Sequence, residues 1–137
     1  NMGACMAPAA AEVLYQHFVD FGSKPEDYDA VYTGDLGEVG KKILLHLLRE
    51  NGYDLSKVHG DCGIEIYENE TQDTHSGGSG CACSAVVLAS MIIPKIIDGT
   101  WKKVLFVPTG ALMSKTSFNE GENVAGIAHA ILLEGVR

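Results

Sequence analysis

Residues 74–97, THSGGSGCACSAVVLASMIIPKII, constrain this chain more than any other stretch. They open on a histidine and a glycine-rich turn. They then run apolar on nearly every side, through Val86, Val87, Leu88, Ala89, Met91, Ile92, Ile93, Ile96 and Ile97. A surface helix carries one apolar stripe, whereas a helix apolar all round is buried. The pattern therefore predicts a buried central helix over about 80–97, with a polar turn at its N-terminus facing a pocket. Pro94 marks a kink or the last turn. Ser90, Pro94 and Lys95 interrupt the run too often for a membrane span.

The rest of the chain supplies layers on either side of such a helix. Ala10, Val13, Leu14, His17, Phe18 and Phe21 follow helical spacing over Pro8 to Phe21, and Gly22 is a C-terminal stop. Ala30 to Thr33 reads as a short strand. A second helix runs from Gly37 to Asn51, with Val39, Ile43, Leu44, Leu47 and Leu48 inward. Cys62 to Tyr67 alternates like a strand, ENETQDT like an acidic loop. Val104 to Val107 is a continuous apolar strand of the kind buried on both faces. Pro108-Thr109-Gly110 turns out of it, SKTSFNEGEN is an exposed loop, and Gly126 to Leu133 closes the chain as a strand antiparallel to its predecessor. Such alternation predicts an α/β fold, a mixed sheet of about five strands with helices on both faces.

The length suits one domain. A net charge of −8 argues against nucleic acid and against adsorption to anionic lipid. Cys5, Cys62, Cys81 and Cys83 are too few and too irregular for a secreted disulfide framework, so a reduced compartment is expected. The start, NMGACMAPAAAEVL, has no basic segment of a signal peptide. The apolar pattern is already running there, as in a piece of a longer chain.

Three turns carry the candidate chemistry. His75 stands before a glycine turn whose hydroxyls (Ser76, Ser79) and amides (Gly77, Gly78) suit an anion; close packing of the turn is the structural alternative. The run HSGGSG is neither a dinucleotide fingerprint nor a P-loop. Asp35, in Thr33-Gly34-Asp35-Leu36-Gly37, lies where ligands sit in open α/β sheets, and equally where it favours a helix N-terminus. Thr109 and Gly110 form the third turn. Asp61 is a weaker candidate at a strand entrance. His17 and His129 sit in apolar patterns and read as packed; His46 and His59 have no evident partner. The CxC spacing of Cys81 and Cys83 does not favour a shared metal, and no metal site is expected. The acidic loop with Glu68, Glu70 and Asp73 is simplest as a solvated loop, though such clusters can hold calcium weakly.

Together the turns resemble the C-terminal half of the thiolase superfamily, in the style of its ketoacyl synthase III branch. YTGDLG stands for that family's histidine turn, HSGGSGCACS for its asparagine turn, VPTGALM for its third glycine turn, and GIAHAILLE for its closing strand. NMGACMAPAAAEVL, TGDLGEVG, DCGIEIY, HSGGSGCACSAVVL and TGALMS more closely resemble the stage V sporulation protein AD family, thiolase-like proteins of spore-forming bacteria. The resemblance implies that residues 1–137 are one C-terminal half-domain, the N-terminal half lying outside this chain. It puts the family's catalytic histidine at Gly34 and its asparagine at about Gly77, and its nucleophilic cysteine in the other half. No acyl-transfer site can then be assembled here, and the chain is expected not to be an enzyme.

What the resemblance implies instead is a binding protein for dipicolinic acid (pyridine-2,6-dicarboxylate), acting in its uptake into the developing spore. The ligand would be held by Asp35, His75, Ser76, Gly77, Gly78, Ser79, Thr109 and Gly110. No cofactor is expected beyond calcium carried as the dipicolinate salt. Asp35 would need a bridging calcium, a proton or a structural role beside such an anion. The expected partners are other SpoVA proteins at the cytoplasmic face of the spore inner membrane, with the chain itself peripheral. Two alternatives stand beside this one: an active thiolase-type acyltransferase, and a structural partner of SpoVA membrane proteins with a vestigial pocket. A half-domain also leaves an apolar face uncovered, so the isolated chain is expected to self-associate into a homo-oligomer.

Overall fold

The computed structural model describes residues 1–67, 69–72, 74, 80, 82–112 and 114–136, with the side chains of 69, 70, 117 and 118 left aside. Helix α1 (Met2–Phe21) begins six residues before the expected start at Pro8. The Asn1 side chain accepts the Ala4 N–H at 3.0 Å, and Gly3, Met6 and Ala7 are already buried. Capping and burial together outweigh the amide that Pro8 lacks. Gly22 ends the helix in the left-handed conformation, φ 59°, as its position suggested.

Strand β1 (Ala30–Thr33) leads into α2 (Gly37–Glu50), both where the sequence placed them. Strand β2 is only His59–Asp61, and the alternating Cys62–Tyr67 segment is not a strand. It forms the short helix α3 (Cys62–Ile66). Parallel pairing puts Thr33, the last residue of β1, opposite Asp61, so the ladder stops there and the chain turns away. The acidic segment contains a single helical turn, α4 (Asn69–Gln72).

The long apolar helix comprises α5 (Cys83–Val87), a π-helical turn (Leu88–Ile92) and α6 (Ile93–Ile97). The wider turn keeps its inner residues in phase. Cys83, Val87, Ile92 and Ile96 pack on the sheet at spacings that an uninterrupted α-helix would carry out of line. Pro94 falls in the first turn of α6, directly after the π-helical turn. The expectation of a helix buried all round is corrected. Among the described residues of this helix, Cys83, Val87 and Ile92 are fully buried, while Val86 is 50%, Ile93 41% and Ile97 77% exposed. Among the described residues, one side of the helix packs on the sheet and the other stays exposed.

Strand β3 (Lys103–Val107) is buried on both faces from Val104 onward, as expected. The Pro108–Gly110 turn and the closing strand need correction. Residues Thr109–Leu112 form β4, and the last strand is two, β5 (Ala125–Ala128) and β6 (Ile131–Glu134), with α7 (Lys115–Asn119) before them. His129, between β5 and β6, donates its N–H to the Pro108 carbonyl. The main sheet has four strands, ordered β2-β1-β3-β6, and β4-β5 form a separate antiparallel pair. Strands β2, β1 and β3 are parallel, and β6 runs antiparallel to β3.

Strand alternation divides the core in two. Val31, Leu105 and Val107 face α1 and α2, against Leu14, Phe18, Leu44 and Leu48. Ala30, Tyr32, Val104 and Phe106 face the α5–α6 helix. Helices therefore cover both faces of a mixed sheet, which is the expected fold class. Helix α1 meets α2 at Gly3 and Gly40. A Cβ on Gly3 would overlap the Leu36 carbonyl, and one on Gly40 would lie 2.8 Å from the Gly3 oxygen.

Candidate functional site

From β1 the chain crosses through α2 to β2 on one side. It then crosses through the α5–α6 helix to β3 on the other. The carboxyl ends of β1 and β3 therefore flank a topological switch point, where open α/β sheets hold ligands. Gly34 and Asp35 leave β1 there, and Pro108 and Thr109 leave β3.

Two of the expected site residues meet at this point. The Thr109 hydroxyl donates to Asp35 Oδ1 at 2.9 Å and accepts the Asp35 N–H at 3.2 Å. Gly34 is pressed against the same residue: a Cβ there would stand 2.7 Å from both the Thr109 nitrogen and its Oγ1. The start of α5 closes in from the other face, with Cys83 Sγ 3.8 Å from the Gly34 carbonyl. Gly110 lies one residue along β4, opposite Ile127, and is half-buried. His75, Ser76, Gly77, Gly78 and Ser79, and with them Cys81, lie outside the described residues.

Beneath the turn lies a polar cluster that the sequence had undervalued. Asp61, 1% exposed, accepts the Thr33 hydroxyl at 2.6 Å and the Leu36 N–H at 2.9 Å on Oδ1. Its Oδ2 accepts the Gly37 N–H at 3.0 Å. The carboxylate thus occupies two amides at the N-terminus of α2, the place where an incoming anion would be held. Burial pushes the Asp61 carboxyl up from its ordinary range, while these hydrogen bonds pull the other way.

His59, which has no evident partner in the sequence, lies in β2 with Nε2 at 2.9 Å from Thr33 Oγ1. The threonine has one proton, and the 2.6 Å contact assigns it to Asp61. His59 must then donate its Nε2–H, which leaves Nδ1 an unprotonated, buried acceptor with no partner among the described residues. Burial, with Lys41 adding to it, pulls this imidazole down to about 3. The sequence placed Asp61 at the entrance of a strand, whereas the structure puts it at the end of β2. Its partners are 24 to 28 residues away, and no local pattern names them.

The remaining titratable groups do not supply a nucleophile at the described turns. Burial pushes the Cys83 thiol up to about 11, with Asp35 and Asp61 adding to the shift. Cys62 moves in the same direction, through burial and then Asp61. Among the described residues, no group of three or more His, Cys, Asp or Glu side chains is arranged to hold a metal ion. No helix among them is long and apolar enough to cross a membrane.

A mixed sheet with helices on both faces and polar turns gathered at its switch point defines an α/β protein. Comparison with known proteins gives the family. The family model for Stage V sporulation protein AD (SpoVAD) matches residues 1–134. The Stage V sporulation protein AD of Bacillus subtilis (strain 168) is 45% identical over 134 residues, which are 98% of this chain and 39% of that relative. The chain belongs to the stage V sporulation protein AD family, thiolase-like proteins of sporulation. It spans about two fifths of the length of the curated relative it matches.

Proposed function

We propose that this chain is the part of a non-catalytic sporulation protein that binds dipicolinate for uptake into the developing spore. The observation that carries this reading is the fit around Gly34. Acyl transfer in thiolase-like proteins needs a side-chain donor at this turn, and a Cβ here would already stand 2.7 Å from Thr109. The buried, proton-retaining thiols of Cys62 and Cys83 agree with a site that does no nucleophilic chemistry.

The ligand's carboxylates would be taken by the hydroxyls and amides of residues 76–80 and by His75. Asp35, already accepting the Thr109 hydroxyl, keeps a structural role or faces calcium that arrives with the ligand. The protein would work at the spore inner membrane as a peripheral partner of other SpoVA proteins. One observation favours the structural-partner reading instead: the Leu36 and Gly37 amides are already occupied by Asp61.

Calorimetric titration of dipicolinate, with and without calcium, separates the two. Saturable binding weakened about ten-fold by His75→Ala supports the binding reading. Absence of heat in both titrations, from folded protein, hands the chain to the structural reading. An acyl-enzyme formed on incubation with acyl-CoA would overturn both.

A further inference from the structure

Two buried titratable groups stand on either side of one hydroxyl. Thr33 Oγ1 is 2.9 Å from His59 Nε2 and 2.6 Å from Asp61 Oδ1. A hydroxyl donates one proton and can accept another, so this row has two complete arrangements. In the first, described above, His59 donates its Nε2–H to Thr33, and Thr33 donates to the Asp61 carboxylate. In the second, Asp61 is the neutral acid and donates to Thr33, and Thr33 donates to an unprotonated Nε2. The ring proton of His59 then sits on Nδ1.

We propose that His59, Thr33 and Asp61 form a buried proton relay beneath the α2 turn: the first proton the cluster takes up in acid ends on Asp61, and His59 stays neutral while its tautomer reverses. The protons balance. An N–H bond forms at Nδ1, Nε2 gives its proton to Thr33 Oγ1, and Thr33 gives its own to Asp61 Oδ1. One proton is gained, and the buried charge is removed without placing a new one on the imidazole.

The surroundings favour this order. Lys41 on α2 acts on His59 with a positive charge, and with burial it pulls the imidazole down to about 3. Burial pushes the Asp61 carboxyl the other way, above its ordinary range. The Tyr32 phenol and the Cys62 and Cys83 thiols, which feel the Asp61 charge, are all pushed up and keep their protons. Two groups coupled this closely titrate as a unit. The same carboxylate holds the Leu36 and Gly37 amides, and bonds to an ionised acceptor are stronger than bonds to a neutral one. A proton on Asp61 therefore loosens the turn that carries Gly34 and Asp35. The inference does not depend on what the strand ends bind.

Nitrogen NMR of isotope-labelled histidine rings tests it, with the pH lowered from neutrality for as long as the fold persists. The two ring nitrogens of His59 should exchange roles, Nδ1 becoming the protonated one and Nε2 the bare one. The Leu36 and Gly37 amide protons should shift with the same midpoint. Thr33→Val should abolish the exchange, and Thr33→Ser, which keeps the hydroxyl, should retain it. Asp61→Asn should hold His59 in its neutral-pH tautomer throughout. Protonation of both His59 nitrogens together overturns the relay, as does a His59 unchanged down to acid unfolding. Exchange that survives in folded Thr33→Val removes the threonine from it.

Discussion

The Thr33 hydroxyl lies 2.6 Å from Asp61 Oδ1, tying the carboxyl ends of β1 and β2 together directly below the turn that enters α2. Through the same carboxylate the Leu36 and Gly37 amides are held. One side chain therefore fixes the end of the sheet, the turn carrying Gly34 and Asp35, and the first turn of the helix.

Asp61→Ala should destabilise the fold by about 3 kcal/mol, because it leaves buried donors without an acceptor. Asp61→Asn should cost less, since its amide oxygen still accepts one of them. Urea denaturation of the three proteins measures this. Equal midpoints for wild type and Asp61→Ala would remove the carboxylate from its structural role.

Acid should weaken the fold through His59. Its folded-state value of about 3 lies below the ordinary 6.5, so between these limits the unfolded chain binds a proton that the native chain does not. The stabilisation is complete above pH 6.5 and falls by about 1.4 kcal/mol per pH unit as pH drops toward 3. His59→Gln keeps a donor for Thr33 and lacks this titration. Its stability should therefore vary less steeply with pH over that window; parallel profiles for the two proteins would contradict the assignment.

Gly34→Ala should cost about 1–3 kcal/mol, since the added methyl meets the Thr109 backbone, which can yield only by moving β4. Thermal melting reads the loss. A neutral substitution would mean that β4 gives way freely, and that the turn could house the side chain argued above not to fit.

Cys62 and Cys83 should resist iodoacetamide in native protein near pH 8 and react in urea, because both are buried and burial holds their protons on. Peptide mass spectrometry locates the label. Rapid native alkylation at Cys83 would show that the start of α5 opens in solution.

Much of the fold was legible before the structure. The period of α2 and the unbroken apolar run of β3 are set by which faces must be buried, and such periodicity is written locally. The failures share a cause. Cys62–Tyr67 alternates convincingly, yet pairing ends at Asp61 and the segment coils into α3. Residues 126–133 read as one strand, yet the first part pairs with β4 and the second with β3. In both cases the neighbour decides, and the neighbour is distant in sequence.

The candidate site divides in the same way. The glycine turn and Asp35 stood out by composition and position, and the structure brings Asp35 to Thr109. His59 stood out for nothing, because a histidine's role lies in its partner, and Thr33 is 26 residues away.

The sequence by itself determined an α/β chain, its main helices and strands, and the turns that gather at the strand ends, because these follow from local periodicity and from residues with special backbone freedom. Only the tertiary structure decided that Asp61 holds the α2 turn, that Gly34 has no room for a side chain, and that Val86, Ile93 and Ile97 of the long apolar helix stay exposed among the described residues. Burial and hydrogen bonding are properties of what surrounds a residue, and here the surroundings come from elements far along the chain.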